Sequence, residues 1–305
     1  MNMSSANVST VFFYRDSFSK AVAKNVLVVV LVVAINYINV GLIQTFRKHQ
    51  IFYTSPRYIL FLHLVVNDMI QVTLSVTMFV ISYTVYQMQV SVCCVFILLT
   101  LFTTENTPLN LACMAVECYI AVCIPLRYVQ ICTVRRTRML IGLIWMTSVL
   151  SVLPDLFIAL AMQPMDFFNT KIFCIRNNAF PLTLIIKRRD VTYILYLVVV
   201  WFIIFFTYFK ILFTAKMASK VTKKARNTVV LHGFQLALCM LTYTNPLLQE
   251  MLVRHFPRYV TDTLFACYII VQLLPRSISP IIYGVRDKTF RIYLKRHLMC
   301  STNPR

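Results

Sequence analysis

The stretch VLVVVLVVAI, residues 26 to 35, contains no polar or charged side chain. It forms the centre of a longer, mostly apolar segment that runs from Val22 to Phe46. About 20 apolar residues of helix, rising about 1.5 Å each, cross a hydrocarbon layer about 30 Å thick. The segment therefore predicts a first transmembrane helix, called span one below.

Six more segments of this kind predict spans two to seven. They run from Tyr58 to Tyr83, Val92 to Ile124, Met139 to Met162, Val191 to Phe213, Thr228 to Leu248 and Leu264 to Val285. The shorter stretch from Lys288 to Leu298 mixes bases with apolar residues, which is typical of a helix on the membrane surface. The predicted fold is all-α: an extracellular tail over residues 1–21, a seven-transmembrane helix bundle over 22–285, and a cytoplasmic amphipathic surface helix and tail over 286–305.

The composition excludes the soluble classes of protein. Of the 305 residues, 59% are hydrophobic and 13% are charged, against about 25% charged in a soluble domain. A net charge of +20 would suit nucleic acid, but the apolar runs are too long for a soluble basic domain. A transmembrane β-barrel is excluded too, because its signal is short alternating segments separated by turns. We therefore expect membrane lipid as a partner, and no nucleic acid.

The distribution of bases predicts the orientation in the membrane. Nineteen of the 30 Lys and Arg residues fall in the loops after spans one, three and five and in the C-terminal segment. Because cytoplasmic loops carry the excess of bases, the N-terminus is predicted outside and the C-terminus inside. Glycosylation sequons at Asn2 and Asn7 agree with this, and the first twenty residues lack the apolar core of a signal peptide. A basic cluster on the outer side, just before span five, weakens the bias.

Two cysteines on the predicted outer face are candidates for a disulfide bond. Cys93 lies at the outer end of span three, and Cys174 lies in the loop before span five. Disulfides persist in oxidising compartments, so the two can pair outside the cell and hold that loop over the bundle. Cys94 competes for the same partner from another side of the helix.

Four segments carry a resemblance to a known family. MAVECYIAVCIPLRY (114–128), at the end of span three, resembles the signature of odorant receptors within the rhodopsin-like G-protein-coupled receptors. SPRY (55–58), with Asn and Asp at 67–68, resembles that family's Pro-Met-Tyr…Asp pattern. KARNTVVLH (224–232) and SPIIYGVRDKTF (279–290) resemble the family's start of span six and end of span seven. The chain looks most like the odorant receptors of fish, and Cys93 falls at the family's disulfide position.

The resemblance implies a receptor in the plasma membrane of olfactory sensory neurons. A small-molecule odorant would bind within the bundle, and a heterotrimeric G protein of the olfactory stimulatory type would take up the signal. The alternative is a receptor of the same fold for a non-odorant small molecule. An enzyme or a cofactor is not expected, since the sequence has no Gly-rich phosphate loop, His-Glu-x-x-His or Gly-x-Ser-x-Gly motif.

The chain departs from the family in two motifs. The Asp/Glu-Arg-Tyr motif reads Glu117-Cys118-Tyr119, and Asn-Pro-x-x-Tyr reads SPIIY at 279–283. The missing Arg is the one that contacts the Glu and, in the active state, the G protein, so a coupling-impaired receptor is a further alternative. The residues to which the resemblance assigns activation and coupling are Glu117, Cys118, Tyr119, Tyr208, His232, Pro280 and Tyr283.

Charged residues inside a membrane are expensive and mark function by default. Asp68, in span two, matches the acid of the family's sodium site, and Arg276, in span seven, matches the wall of that site. Our hypothesis is that a buried Asp68–Arg276 pair replaces the sodium ion. The alternative is that Arg276 faces the ligand pocket.

Glu105 lies in the middle of span three, twelve residues before Glu117 and at the depth of the family's ligand pocket. It can bind a cationic ligand, pair with Arg276, or serve as a structural, protonated acid bonded to a Thr or Tyr of span four or five. The side chains at pocket depth form the predicted ligand-binding set, which is Thr100, Leu101, Thr104, Glu105, Thr192, Tyr193, Tyr196, Tyr243 and Gln272.

Overall fold

The computed structural model describes residues 16–85, 87–217 and 259–278 and, between the last two ranges, residues 234, 237, 245, 248–249, 251–252 and 254–256. Most of span six and the whole predicted surface helix lie outside the described residues. Six residues named above also lie outside the described residues, namely Asn2, Asn7, His232, Tyr243, Pro280 and Tyr283.

Five described helices are long and apolar enough to cross a membrane. Spans one to five are the helices Phe18–Lys48, Pro56–Thr84, Val90–Cys123, Val134–Met162 and Thr183–Met217. Span seven begins with the helix Val260–Cys267, which continues as a π-helix over Tyr268–Leu273. The predicted helical, multi-pass architecture is thus confirmed for the part of the chain that is described.

Short elements connect the spans. A 3-10 turn, Gln50–Phe52, follows span one, and three short helices are Pro125–Ile131, Met165–Asn169 and Arg176–Ala179. The strands Met88–Gln89 and Lys171–Ile172 pair antiparallel at the outer end of span three.

Local chemistry explains where the helices start. Pro56 opens span two, where a missing N–H costs no hydrogen bond. Thr133 caps span four, accepting from the backbone N–H of Arg136 at 3.3 Å. Span five starts at Thr183, eight residues before the predicted start at Val191. The hydropathy pattern predicted residues 183–190 to be loop, because they include the three consecutive bases at 187–189. In the structure these bases lie in the first two turns of the helix.

Span three is the centre of the bundle, packed against spans two, four and five. Span one packs on the side of span two. Val28 and Val32 of the apolar run at 26–35 are buried against Val72 and Val76 of span two. Val30, midway between the first two, is exposed on the outer surface of the helix. Apolar side chains therefore cover both faces of span one, the inner face against protein and the outer face where lipid would lie.

Buried amides and hydroxyls tie spans two, three and four together. Asn67 donates to the backbone oxygen of Thr103 at 2.8 Å, and Asn106 donates to Asn67 at 3.3 Å. Ser148 of span four then donates to Asn106 at 2.7 Å. Such hydrogen bonds fix the rotation of each helix about its axis and its position along its neighbours, which apolar contacts alone specify poorly.

Candidate functional site

A disulfide bond fixes the outer loop over the bundle. Cys93 and Cys174 are bonded, with 5.6 Å between their Cα atoms, which confirms the predicted pair. The thiol of Cys94 instead lies 3.9 Å from the backbone oxygen of Ala179. The paired strands beside the bond, with Met88 opposite Ile172, draw the loop further onto span three.

Beneath this loop lies a cavity, bounded by the loop and by spans three, four and five. Its lining residues are Glu105, Ser151, Val152, Asp155, Arg176, Arg188, Arg189, Thr192 and Tyr193. Three of the predicted ligand-binding residues, Glu105, Thr192 and Tyr193, are among them. We call this space the outer cavity.

Glu105 is the buried acid of the outer cavity, with only 4% of its surface exposed. Ser151 of span four donates to its Oε1 atom at 3.0 Å, while its Oε2 atom has no hydrogen-bond partner among the described residues. Tyr196 of span five donates its hydroxyl to the backbone oxygen of Glu105. Neighbouring helices thus hold Glu105 in place and leave one carboxylate oxygen available.

Span five and the outer loop supply the bases of the outer cavity. Arg188 forms an ion pair with the buried Asp155 of span four and donates to the backbone oxygen of Ser151 at 2.8 Å. Arg176 of the loop donates to the hydroxyl of Tyr193 at 2.7 Å and stacks over its ring, 5.1 Å from the centroid. These contacts close the outer cavity on the loop side.

Arg189 is the third base of the outer cavity. Its Nε atom lies 3.7 Å from Asp190, whose side chain is 60% exposed, and its Nη2 atom lies 3.5 Å from Asn177. Its Nη1 atom is buried and has no hydrogen-bond partner among the described residues. Arg189 therefore retains donor capacity towards the outer cavity.

The remaining ligand-binding candidates lie elsewhere or face the helix backbone. Thr100 donates to Phe96 at 2.9 Å, and Leu101 packs in the outer apolar core. Thr104 accepts a hydrogen bond from Gln71 of span two. Gln272 offers its backbone oxygen to Arg276, so the structure divides the predicted set between the outer cavity and a second polar region around span two.

That second region contains Asp68 and Arg276. Arg276 is 5% exposed and donates from Nε to Gln71 at 3.0 Å. Asp68, 1% exposed, accepts from Thr107 at 3.4 Å. No ion pair between the described residues joins Asp68 to Arg276, and Arg276 does not line the outer cavity. Gln71, one turn along span two from Asp68, holds the guanidinium instead, so the direct pair stays a prediction.

At the end of span three that the sequence predicts to be cytoplasmic, Glu117 has a partner from another span. Arg57, in the first turn of span two, places its Nε atom 3.1 Å from Glu117 Oε2. Tyr128 donates to the other carboxylate oxygen at 2.7 Å. Burial and the charge of Glu117 raise the pKa of Tyr128 above its usual value. We call Arg57, Glu117 and Tyr128 the cytoplasmic triad.

Cys118 lies beside the cytoplasmic triad but faces a different neighbour. It is buried in a small apolar cluster with Ile211 of span five, and Tyr119 and Tyr208 pack around the two. The side chain that replaces the motif's Arg thus contributes to packing between spans three and five.

An ionic cluster joins the outer ends of spans one and seven. Lys24 lies 2.6 Å from Asp16 and 2.7 Å from Asp262. Thr261 and Tyr83 also donate to Asp16, at 2.8 and 3.3 Å. Burial alone would raise the pKa of Asp16, but the hydrogen bonds from Lys24 and Thr261 bring it below its usual value of 3.8. The segment before span one is therefore fastened to the bundle.

Sequence reasoning missed part of the outer cavity. Five polar residues of its lining are absent from the predicted ligand-binding set, namely Ser151, Asp155, Arg176, Arg188 and Arg189. The available signal was the basic cluster before span five, which conflicted with the positive-inside count.

Comparison with known proteins places these features in context. A family of sequences described as "7 transmembrane receptor (rhodopsin family)" matches residues 38–283. The chain is also similar to Odorant receptor 131-2 of Danio rerio, with 28% identity over 303 residues. The match covers 98% of this chain and 91% of that receptor.

Proposed function

The chain belongs to the rhodopsin family of seven-transmembrane receptors, and from that premise we propose that it is an odorant receptor. In this proposal the chain forms a seven-helix bundle with a cytoplasmic surface helix. It sits in the plasma membrane with its N-terminus outside, glycosylated at Asn2 and Asn7. The similarity to a zebrafish odorant receptor supports the sensory role.

The observation that carries the proposal is the outer cavity. It lies beneath the loop that the Cys93–Cys174 bond ties to span three, is bounded by spans three, four and five, and holds a buried acid, Glu105, with an unused oxygen. Ligand sites are concave and combine apolar walls with a few placed polar groups. A ligand that binds here and favours one arrangement of the spans shifts the receptor population toward it.

On the cytoplasmic side the proposed partner is a heterotrimeric G protein of the olfactory stimulatory type. Bases such as Arg127 and Arg135, exposed at this face, suit both anionic lipid and an acidic partner surface. One observation favours a second candidate, a coupling-impaired receptor: Cys118 is buried against Ile211 and offers no cation to a partner.

A cell-based cAMP assay tests both candidates. The native chain, Cys118→Arg and the size-matched control Cys118→Ser are expressed with a surface tag and screened against amino acids, bile acids and amines. A ligand response in the native chain supports the odorant receptor, and a response only in Cys118→Arg supports impaired coupling. If all three reach the surface and none responds to any ligand, both candidates fail.

A non-odorant receptor of the same fold would respond to a ligand but be expressed elsewhere. Detection of the transcript in olfactory sensory neurons by in situ hybridisation, with a known odorant receptor as positive control, is the expected result for the odorant receptor. Transcript confined to other tissues would favour the non-odorant alternative.

A further inference from the structure

We propose that the outer cavity selects a small organic anion that also carries a hydrogen-bond donor, such as a short amino or hydroxy carboxylate. The proposal rests on the proposed receptor function and names the ligand class of the same site.

The first argument is the charge balance of the outer cavity. Three guanidinium groups and two carboxyl groups line it, which leaves at least one positive charge in excess. Asp155 is already taken by Arg188, and the partner of Arg176 within the outer cavity is a neutral phenol, Tyr193. Arg189 reaches only one described carboxylate, the exposed Asp190, at 3.7 Å. The three guanidinium groups are half-buried, and charges withdrawn from water are normally paired, so the outer cavity is complementary to an added negative charge.

The second argument comes from hydrogen bonds left unmade. Glu105 Oε2, Arg188 Nε and Arg189 Nη1 are buried, line the outer cavity and have no hydrogen-bond partner among the described residues. An unsatisfied buried polar atom destabilises the empty site, and a ligand that pairs with it recovers that free energy. The two Arg atoms are donors and require an acceptor, whereas the carboxylate oxygen requires a donor. A carboxylate with an ammonium or hydroxyl group supplies both.

Two other ligand classes fit less well. An amine alone would satisfy Glu105 but add a positive charge to an outer cavity in which guanidinium groups already outnumber carboxyl groups. A neutral apolar odorant would fill the space but leave both Arg donors and the Glu105 oxygen unpaired.

Binding to purified receptor in lipid nanodiscs tests the proposal without any signalling step. The two-function probes are L-alanine, lactate and 4-aminobutanoate. The one-function probes of similar size are propanoate, propylamine and 1-propanol. Dissociation constants are measured by isothermal titration in Tris sulfate buffer, which contains neither a carboxylate nor chloride. We expect at least one two-function acid to bind at least tenfold more tightly than every one-function probe.

Variants identify the site. Arg189→Gln is expected to weaken the best acid at least tenfold, because it removes a donor whose other described contacts are peripheral. The matched control is Lys187→Gln, two residues away on the same helix, exposed and not lining the outer cavity. Glu105→Gln is expected to keep carboxylate binding but to lose the preference for an ammonium group over a hydroxyl group. Thermal unfolding without ligand checks that each variant is folded.

The outcomes separate this proposal from the receptor function. If propylamine or propanol binds as tightly as the acids, or if chloride alone competes equally, the ligand class is wrong. If no probe binds while cells respond to other odorants, the proposal fails and the receptor function stands. If the acids bind as expected but no variant signals in cells, the ligand class stands and the receptor function fails.

Discussion

Arg57→Met tests whether the cytoplasmic triad takes over the contact that the missing motif Arg makes in the family. Met is the residue of the family pattern at this position, and Arg57 is the cation that the structure places on Glu117. Removing one partner of a buried pair costs about 3–5 kcal/mol, whereas exposed pairs contribute at most about 1 kcal/mol. Since Glu117 is 5% exposed and the Arg57 side chain is 32% exposed, we expect a loss of about 2 kcal/mol in the free energy of unfolding.

The measurement is thermal unfolding of purified receptor at one fixed scan rate. With an unfolding entropy of about 2.1 cal/mol/K per residue over 305 residues, a loss of about 2 kcal/mol corresponds to a fall in Tm of about 3 °C. Glu117→Gln and the double variant with Arg57→Met complete a double-mutant cycle, in which we expect a coupling energy of at least about 1 kcal/mol. Arg127→Met is the matched control, because Arg127 is an exposed base near the same membrane surface with no ion pair to a described residue. If Arg57→Met and Arg127→Met lower Tm equally, the pair contributes nothing and the reasoning is refuted.

Restoring both family residues sharpens this test. Cys118→Arg in the native background inserts a guanidinium group into the apolar cluster with Ile211, while Glu117 is already paired. In the Arg57→Met background Glu117 has lost the cation at position 57, so the introduced guanidinium group can pair with it. We therefore expect Cys118→Arg to lower Tm less in the second background than in the first. Equal losses in the two backgrounds would show that positions 57 and 118 do not share Glu117.

Three further predictions concern other charged and titratable groups. A sodium ion is not needed if Arg276 neutralises Asp68, so basal and ligand-evoked cAMP should be unchanged when sodium is replaced by choline. A sodium-dependent change in cAMP that vanishes in Asp68→Asn would exclude neutralisation of Asp68 by Arg276. The pKa of Asp16 lies below 3.8, so its pairing with Lys24 stabilises the fold above that pH and is lost as the pH falls below it. Tm should therefore drop below about pH 4 in the native chain, and less steeply in Asp16→Asn. Parallel curves of Tm against pH for the two chains would contradict this role of Asp16. Burial raises the pKa of the Cys132 thiol, which lowers the fraction of reactive thiolate. Iodoacetamide should therefore label Cys132 several-fold more slowly in the folded receptor than in the unfolded chain, as measured by peptide mass spectrometry. Equal labelling rates would show that the thiol is not buried.

The helices could be predicted from the sequence because lipid imposes a strong and local requirement. A mostly apolar segment long enough to cross the bilayer, such as Val22 to Phe46, is stable as a transmembrane helix and in few other environments. Hydropathy fails where charged residues continue a helix beyond its apolar part, so span five begins eight residues before the predicted start. The Cys93–Cys174 bond was predictable because few cysteines fall on the outer face.

The partners of buried charges were not predictable in the same way, because they come from different helices. Arg57 and Glu117 are 60 residues apart in sequence, and Arg188 and Asp155 are 33 apart. Nothing in the local pattern of either residue indicates the other. Gln71, which holds Arg276, is a further example, since a single polar residue in an apolar helix gives no sign of its direction.

The basic cluster before span five links the topology to the site. Outer loops rarely collect bases, and these three were the main exception to the predicted orientation. The structure gives two of them a specific role, because Arg188 and Arg189 line the outer cavity while Lys187 is exposed. If the bases served only orientation, any of the three would be interchangeable. The different surroundings of Lys187 and Arg189 therefore predict different results for the same substitution. Ligand affinity falls in Arg189→Gln and is unchanged in Lys187→Gln. Equal effects of the two substitutions would show that the cluster acts only through its surface charge.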